Sequence, residues 1–101
     1  MKEIPVSSKR KTINVTQMDC DLGFAGDCYL CPVARAIGRA VKRLGLKVHT
    51  TTFKATFYRD QGLSVLETYL PPEVSTRISD FDSGHGMKPF RFELEVPDVT
   101  G

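Results

Sequence analysis

The sequence predicts an α+β fold of ferredoxin-like type, β-α-β-β-α-β, with a four-stranded antiparallel sheet and two helices on one face. Three observations lead there. Apolar residues alternate with period two in several short segments, and they recur at helical spacing in two others. The two kinds of segment follow one another as strand, helix, strand, strand, helix, strand. The 101 residues make one domain, long enough to bury a core without disulfides or metals. Its predicted limits are residues 12–98, after a flexible basic segment over residues 1–11.

In "KTINVT", Ile13 and Val15 share one side of a short strand. Thr16 and Asp19 have the spacing of a capping box, so "TQMDCDLG" reads as one helical turn closed by Gly23. The first long helix is predicted from Cys31, with Pro32 at the first helical position, where its missing N–H costs nothing. Val33, Ile37, Val41 and Leu44 form its apolar stripe, and Gly45 sits at its C-cap. "LKVHTTTFKATFYRD" alternates throughout and reads as one strand. His49, Thr51, Phe53, Ala55 and Phe57 lie on the core face, with Thr50, Thr52, Lys54, Thr56 and Tyr58 on the other. "DQG" (60–62) turns the chain into the strand "SVLETYL". Val74, Ile78 and Phe81 mark a second helix ended by Gly84, and Phe90, Phe92, Leu94 and Val96 mark a last strand with one wet face.

No apolar run approaches the roughly 20 residues of a membrane helix, and "MKEIPVSSKRK" lacks the apolar stretch of a secretory signal. Three cysteines, an odd number, argue against a secreted disulfide framework and for a reducing cytosol. Charge is unevenly spread. Residues 1–47 hold nine Lys/Arg against four Asp/Glu, while residues 48–101 hold five against eight. Arg35, Arg39 and Lys42 follow i, i+4, i+7 on the first long helix, with Arg43 beside them. Such a stripe is either a solvated helix face or a surface for an acidic partner. N–H groups near Val33 and Ala34 offer a further seat for a phosphate.

Cys28 and Cys31 form a single C-x-x-C, which supplies two of the four ligands of a tetrahedral zinc site. The favoured reading is two small apolar side chains bracing a loop against the helix, with no metal and no cofactor. Were zinc bound, Cys28, Cys31 and Cys20 would be its ligands. His85, between two glycines, lies in a loop suited to partner contact, and Tyr58 is exposed on the open sheet face. That threonine-rich face predicts a homodimer or a docked partner.

"CPVARAI" and "FDSGHGMKPFRFELEVP", together with Val15–Asp19, resemble small bacteriophage proteins. These share a "VT…D" segment, a "C-x-x-C-P-V-A-x-A-I" helix start and a terminal "FD-x-G…PF-x-F-x-L". The resemblance implies a phage gene product in the host bacterial cytoplasm and carries no activity with it. In that setting the expected role is a non-enzymatic binding protein that occupies a host protein or sequesters a small anionic ligand, with anti-defence inhibition as a subclass. The alternatives are a nucleic-acid-binding accessory protein and a thiol or zinc protein using the C-x-x-C. Arg35, Arg39, Lys42, Arg43, Tyr58 and His85 are the candidate contact residues, and none is assigned a catalytic role.

Overall fold

Alternation places Ile13 and Val15 on the buried side of β1 (Ser8–Val15), which pairs antiparallel along its length with β5 (Phe90–Pro97). Phe92, Leu94 and Val96 of β5 face the same core. The computed structural model describes residues 8–27, 29–59 and 64–98. Within it, Thr16 caps α1 (Gln17–Leu22), and the capping box expected with Asp19 is formed in both directions. Gly23 closes α1, its N–H donating to the Asp19 carbonyl. The second helix, α2 (Pro32–Val41), starts at the expected proline, with Cys31 as its N-cap. A 3-10 turn, Lys42–Leu44, continues it to Gly45, whose φ of 69° is the left-handed conformation that favours glycine.

The long alternating run is not one strand. It forms β2 (Lys47–Thr50) and β3 (Lys54–Tyr58), joined by a tight turn and paired antiparallel. The Thr51 hydroxyl makes the turn by accepting from the N–H groups of Phe53 and Lys54. The turn switches which residues face inward. Val48 and Thr50 are buried on one leg, Ala55 and Phe57 on the other. Two expectations are corrected by this. Phe53 is 68% exposed rather than in the core, and Thr50 is 3% exposed, so the open threonine face does not form as expected. The face on which dimerisation was predicted is therefore not open as the alternation suggested: Thr50 is turned inward, and Tyr58, expected to be exposed, is half-buried with Thr52, Lys54 and Thr56.

β3 continues to β4 (Ser64–Tyr69) in a second antiparallel pairing; the "DQG" turn itself lies outside the described residues. The third helix, α3 (Pro72–Asp82), buries Val74 and Ile78 as the spacing required. The molecule is thus α+β, but among the described residues the four expected strands are five. They lie in a two-stranded sheet, β1-β5, and a three-stranded sheet, β2-β3-β4, instead of one four-stranded sheet. β1 also begins at Ser8, so the basic stretch Lys9–Lys11, expected to be flexible, is strand.

The two sheets approach each other where β4 meets β5, and α2 packs on both β1 and β2. The helix is therefore the common wall of the core. Val33, Ile37 and Val41 from α2 join Ile13, Phe57 and Val74 in that core, all of them fully buried. Each such side chain contributes roughly 1.5–3 kcal/mol through its removal from water. The opposite side of α2 is left to face outward.

Candidate functional site

A buried carboxylate organises the outward side of α2. Asp19 is 0% exposed and is held from three directions. Thr16 N–H donates to its Oδ2 at 2.9 Å. Arg39 donates from Nη1 to Oδ1 at 2.8 Å and from Nη2 to Oδ2 at 2.7 Å, the two-pronged geometry that suits guanidinium to carboxylate. Arg35 Nε lies 3.6 Å from Oδ1, an ion pair without a hydrogen bond, and this nitrogen is buried with no hydrogen-bond partner among the described residues. Burial alone would push the Asp19 carboxyl up, but the Arg39 and Thr16 hydrogen bonds and the Arg39 charge outweigh it, lowering its pKa to about 2. The hydrogen bond to Asp19 in turn pushes the Arg39 guanidinium up. Arg39 Nη2 also donates to the Asn14 carbonyl at 2.9 Å, tying α2 to the end of β1.

Arg35 and Arg39 are therefore more than a solvated stripe, because both are anchored through Asp19. They also line an open groove of about 520 Å³ between α2 and β2. Lys42 and Lys47 complete a set of four cations in its lining, and no carboxylate lines it among the described residues. Ala34, Gly38, Leu46 and Val48 supply apolar surface between them. Tyr29 and Tyr58 also line it, their rings edge-to-face at 6.5 Å, with Lys47 directly across the β2–β3 pairing from Tyr58, and His49 meets the same Tyr29 ring at 5.0 Å. Tyr29 is 55% exposed, so much of its ring is open to the groove and to solvent. Its position is set by Asp27, whose Oδ1 accepts from the backbone N–H groups of Tyr29 and Leu30.

Gly38 keeps the middle of the groove shallow-walled. A Cβ added there would meet only Val48 Cγ1, at an ordinary 3.6 Å, so nothing in the packing demands glycine. Any longer side chain at this position would project where α2 faces β2.

The remaining sequence candidates lie elsewhere. Arg43 is exposed but outside the groove lining. His85 is in an exposed loop, with its backbone N–H on the Asp80 carbonyl, and does not join the groove. The phosphate seat expected at the start of α2 is closed. Val33 and Ala34 are buried, and the Ala34 N–H donates to Cys31 Sγ at 3.4 Å. Cys31 is 4% exposed, as a small apolar side chain would be, and its sulfur also lies 3.4 Å from Thr50 Oγ1, so it braces the helix start against β2 rather than a loop against the helix. Cys28 lies outside the described residues. Burial, followed by the charges of Asp19 and Asp21, pushes the half-buried Cys20 thiol up, which disfavours the thiolate a metal or a disulfide exchange needs. Among the described residues no three His, Cys, Asp or Glu side chains converge as a metal site would require.

Three participants were not singled out in the sequence: Tyr29, Lys47 and the carboxylate of Asp19 as an arginine anchor. Tyr29 is hidden between the cysteines, where the C-x-x-C spacing draws attention instead. Lys47 opens an alternating run, and its position beside α2 is a tertiary fact. No family model matches the chain, and no curated protein and no solved structure matches it.

Proposed function

We propose that this protein is a non-enzymatic binding protein whose α2–β2 groove captures an anionic partner. In the phage setting implied by the resemblance, it would occupy an acidic host protein or sequester a small anion in the host cytoplasm. The observation that carries the reading is the groove lining, which holds Arg35, Arg39, Lys42 and Lys47 and, among the described residues, no carboxylate. A concave surface with one sign of charge concentrates field lines and raises the local concentration of a counter-charged ligand. Asp19 offsets one of these charges, but it does so from beneath, fully buried, while fixing the two guanidinium groups. Rigid cations lose less freedom on binding than mobile ones. A binder is favoured over a catalyst because His49 packs on a tyrosine ring, and no nucleophile and base are paired among the described lining residues.

The test uses Lys42→Glu/Lys47→Glu, which spares the Asp19 cluster. Inorganic tripolyphosphate and polyglutamate are titrated calorimetrically into both proteins at low and high salt. Wild-type protein should bind at least one of them, with affinity falling steeply as salt rises, and the double variant should lose that binding while its circular dichroism shows it folded. Equal binding by the two proteins, or binding of neither anion by wild type, would refute the proposal.

A further inference from the structure

The groove combines cations with aromatic rings, and the two together specify more than negative charge. We infer that its occupant is a nucleotide, with its base against Tyr29 and Tyr58 and its phosphate groups among Arg35, Lys42 and Lys47. This rests on the anion-binding reading of the groove and narrows it.

The cations are spread out along the helix. Arg35 and Lys42 are seven residues apart on one continuous helical path, about 10 Å along the axis. Phosphates of a single strand advance about 3.4 Å each along a helix axis, so about four consecutive phosphates would span that distance, and the long Arg and Lys side chains can also converge on fewer. Lys47 faces the same space from β2.

The aromatic corner is built rather than incidental. Tyr29 and Tyr58 come from a loop and a strand distant in sequence, yet meet edge-to-face, and His49 buttresses Tyr29 from β2. Edge-to-face contact fixes the ring planes against each other. A half-exposed tyrosine held this way offers a π-surface that every nucleobase can stack on, whatever its hydrogen-bonding edge. Ala34 and Val48, nearly buried, and Gly38 form an uncharged part of the lining. An acidic protein segment would satisfy the cations but has no need of a stacking corner beside them.

The same base-plus-phosphate chemistry comes free in solution or as part of a single strand. Calorimetry without divalent cations, with tripolyphosphate, adenosine 5′-triphosphate, an adenine tetradeoxynucleotide and polyglutamate as probes, separates the sources. Adenosine triphosphate should bind roughly tenfold or more tightly than tripolyphosphate, the increment expected of one stacked base. Tyr29→Ala should erase that increment, Tyr29→Phe should keep it, and Tyr69→Ala, an 81% exposed tyrosine outside the groove lining, should leave it unchanged. Tighter binding of the tetranucleotide than of the triphosphate supports the inference and assigns the ligand to a strand; the reverse supports it and assigns a free nucleotide. Equal affinity for tripolyphosphate and adenosine triphosphate overturns the inference while leaving an anion groove intact. Binding of polyglutamate alone overturns it in favour of an acidic protein. If no probe binds, this inference and the proposed function fall together. Should Tyr29→Ala lose its fold, amide chemical-shift changes on wild-type protein decide. Shifts at Tyr29, His49 and Tyr58 that adenosine triphosphate produces and tripolyphosphate does not support the inference, and their absence overturns it.

Discussion

Replacing Asp19 by asparagine keeps its shape and removes its charge, which isolates what the buried carboxylate does. In the folded protein its pKa is about 2, against an ordinary 3.8. By proton linkage that difference is worth about 2 kcal/mol of stability at neutral pH. The sign follows from the direction. A carboxyl whose pKa is lowered on folding stabilises the fold above its unfolded value, and that stabilisation is lost as pH falls through the folded one. The asparagine amide oxygen can still accept from Thr16 N–H, so the α1 cap largely survives, but Arg35 and Arg39 lose the charge they surround. Asp19→Asn should therefore cost about 2–3 kcal/mol at pH 7, and the melting temperature should fall by roughly 10–20 °C for a domain of this size. Urea unfolding followed by far-ultraviolet circular dichroism at pH 7, 4, 3 and 2 reads the stability, and thermal melts at the same pH values read the temperature. The gap between wild type and variant should be full at pH 7, nearly so at pH 4, then close towards pH 2. A variant within about 0.5 kcal/mol of wild type at pH 7, or a gap of constant size across the series, would refute the account of Asp19 as the anchor.

Gly38→Ala should stabilise the fold by about 0.5–1 kcal/mol in the same denaturation assay, because the helix interior gains propensity and the new Cβ fits at 3.6 Å from Val48. Gly38→Gln, which reaches into the groove, should weaken tripolyphosphate binding without unfolding the protein, as read by calorimetry and circular dichroism together. Gly23→Ala should destabilise by about 1–3 kcal/mol in urea, since its Cβ would sit 2.6 Å from the Pro32 ring that opens α2. Cys31→Ala should cost about 1 kcal/mol for the lost N-cap, while Cys31→Ser, which can accept from the Ala34 N–H, should cost less by thermal melting.

Local chemistry was readable wherever a short-range rule applied. Pro32 and Gly45 bracket the α2 region as helix rules require, and Thr16 with Asp19 announces the α1 cap. What misled was a turn without turn residues. "TTF" carries no glycine, proline or asparagine, and the run reads as unbroken alternation. The clue lies in a change of parity, with Val48 and Thr50 inward before the turn and Ala55 and Phe57 after it, visible once a residue that is not apolar is allowed into the core. The site was legible in half. Helical spacing put Arg35, Arg39 and Lys42 on one stripe, but charge spacing cannot say that two of them converge on an acid 16 and 20 residues earlier in the chain. Tyr29 and Lys47 join the groove only through tertiary packing.

The pairing of β1 with β5 has a consequence for how the chain is made. Ser8 lies opposite Pro97 and Val15 opposite Phe90, so the earliest described strand has the latest as its partner. During synthesis Ile13 and Val15 emerge long before Phe92, Leu94 and Val96 exist to cover them, and α2 is complete while one of its two supporting sheets is still half built. The groove lining is entirely synthesised by Tyr58, yet the Arg39 contact to Asn14 that steadies it leans on a strand still waiting for its neighbour. A nascent chain stalled before residue 90 would carry every binding side chain and hold them loosely. Joining the two strand ends with a short linker and opening the molecule elsewhere would reverse that order, delivering β1 and β5 to the ribosome exit together.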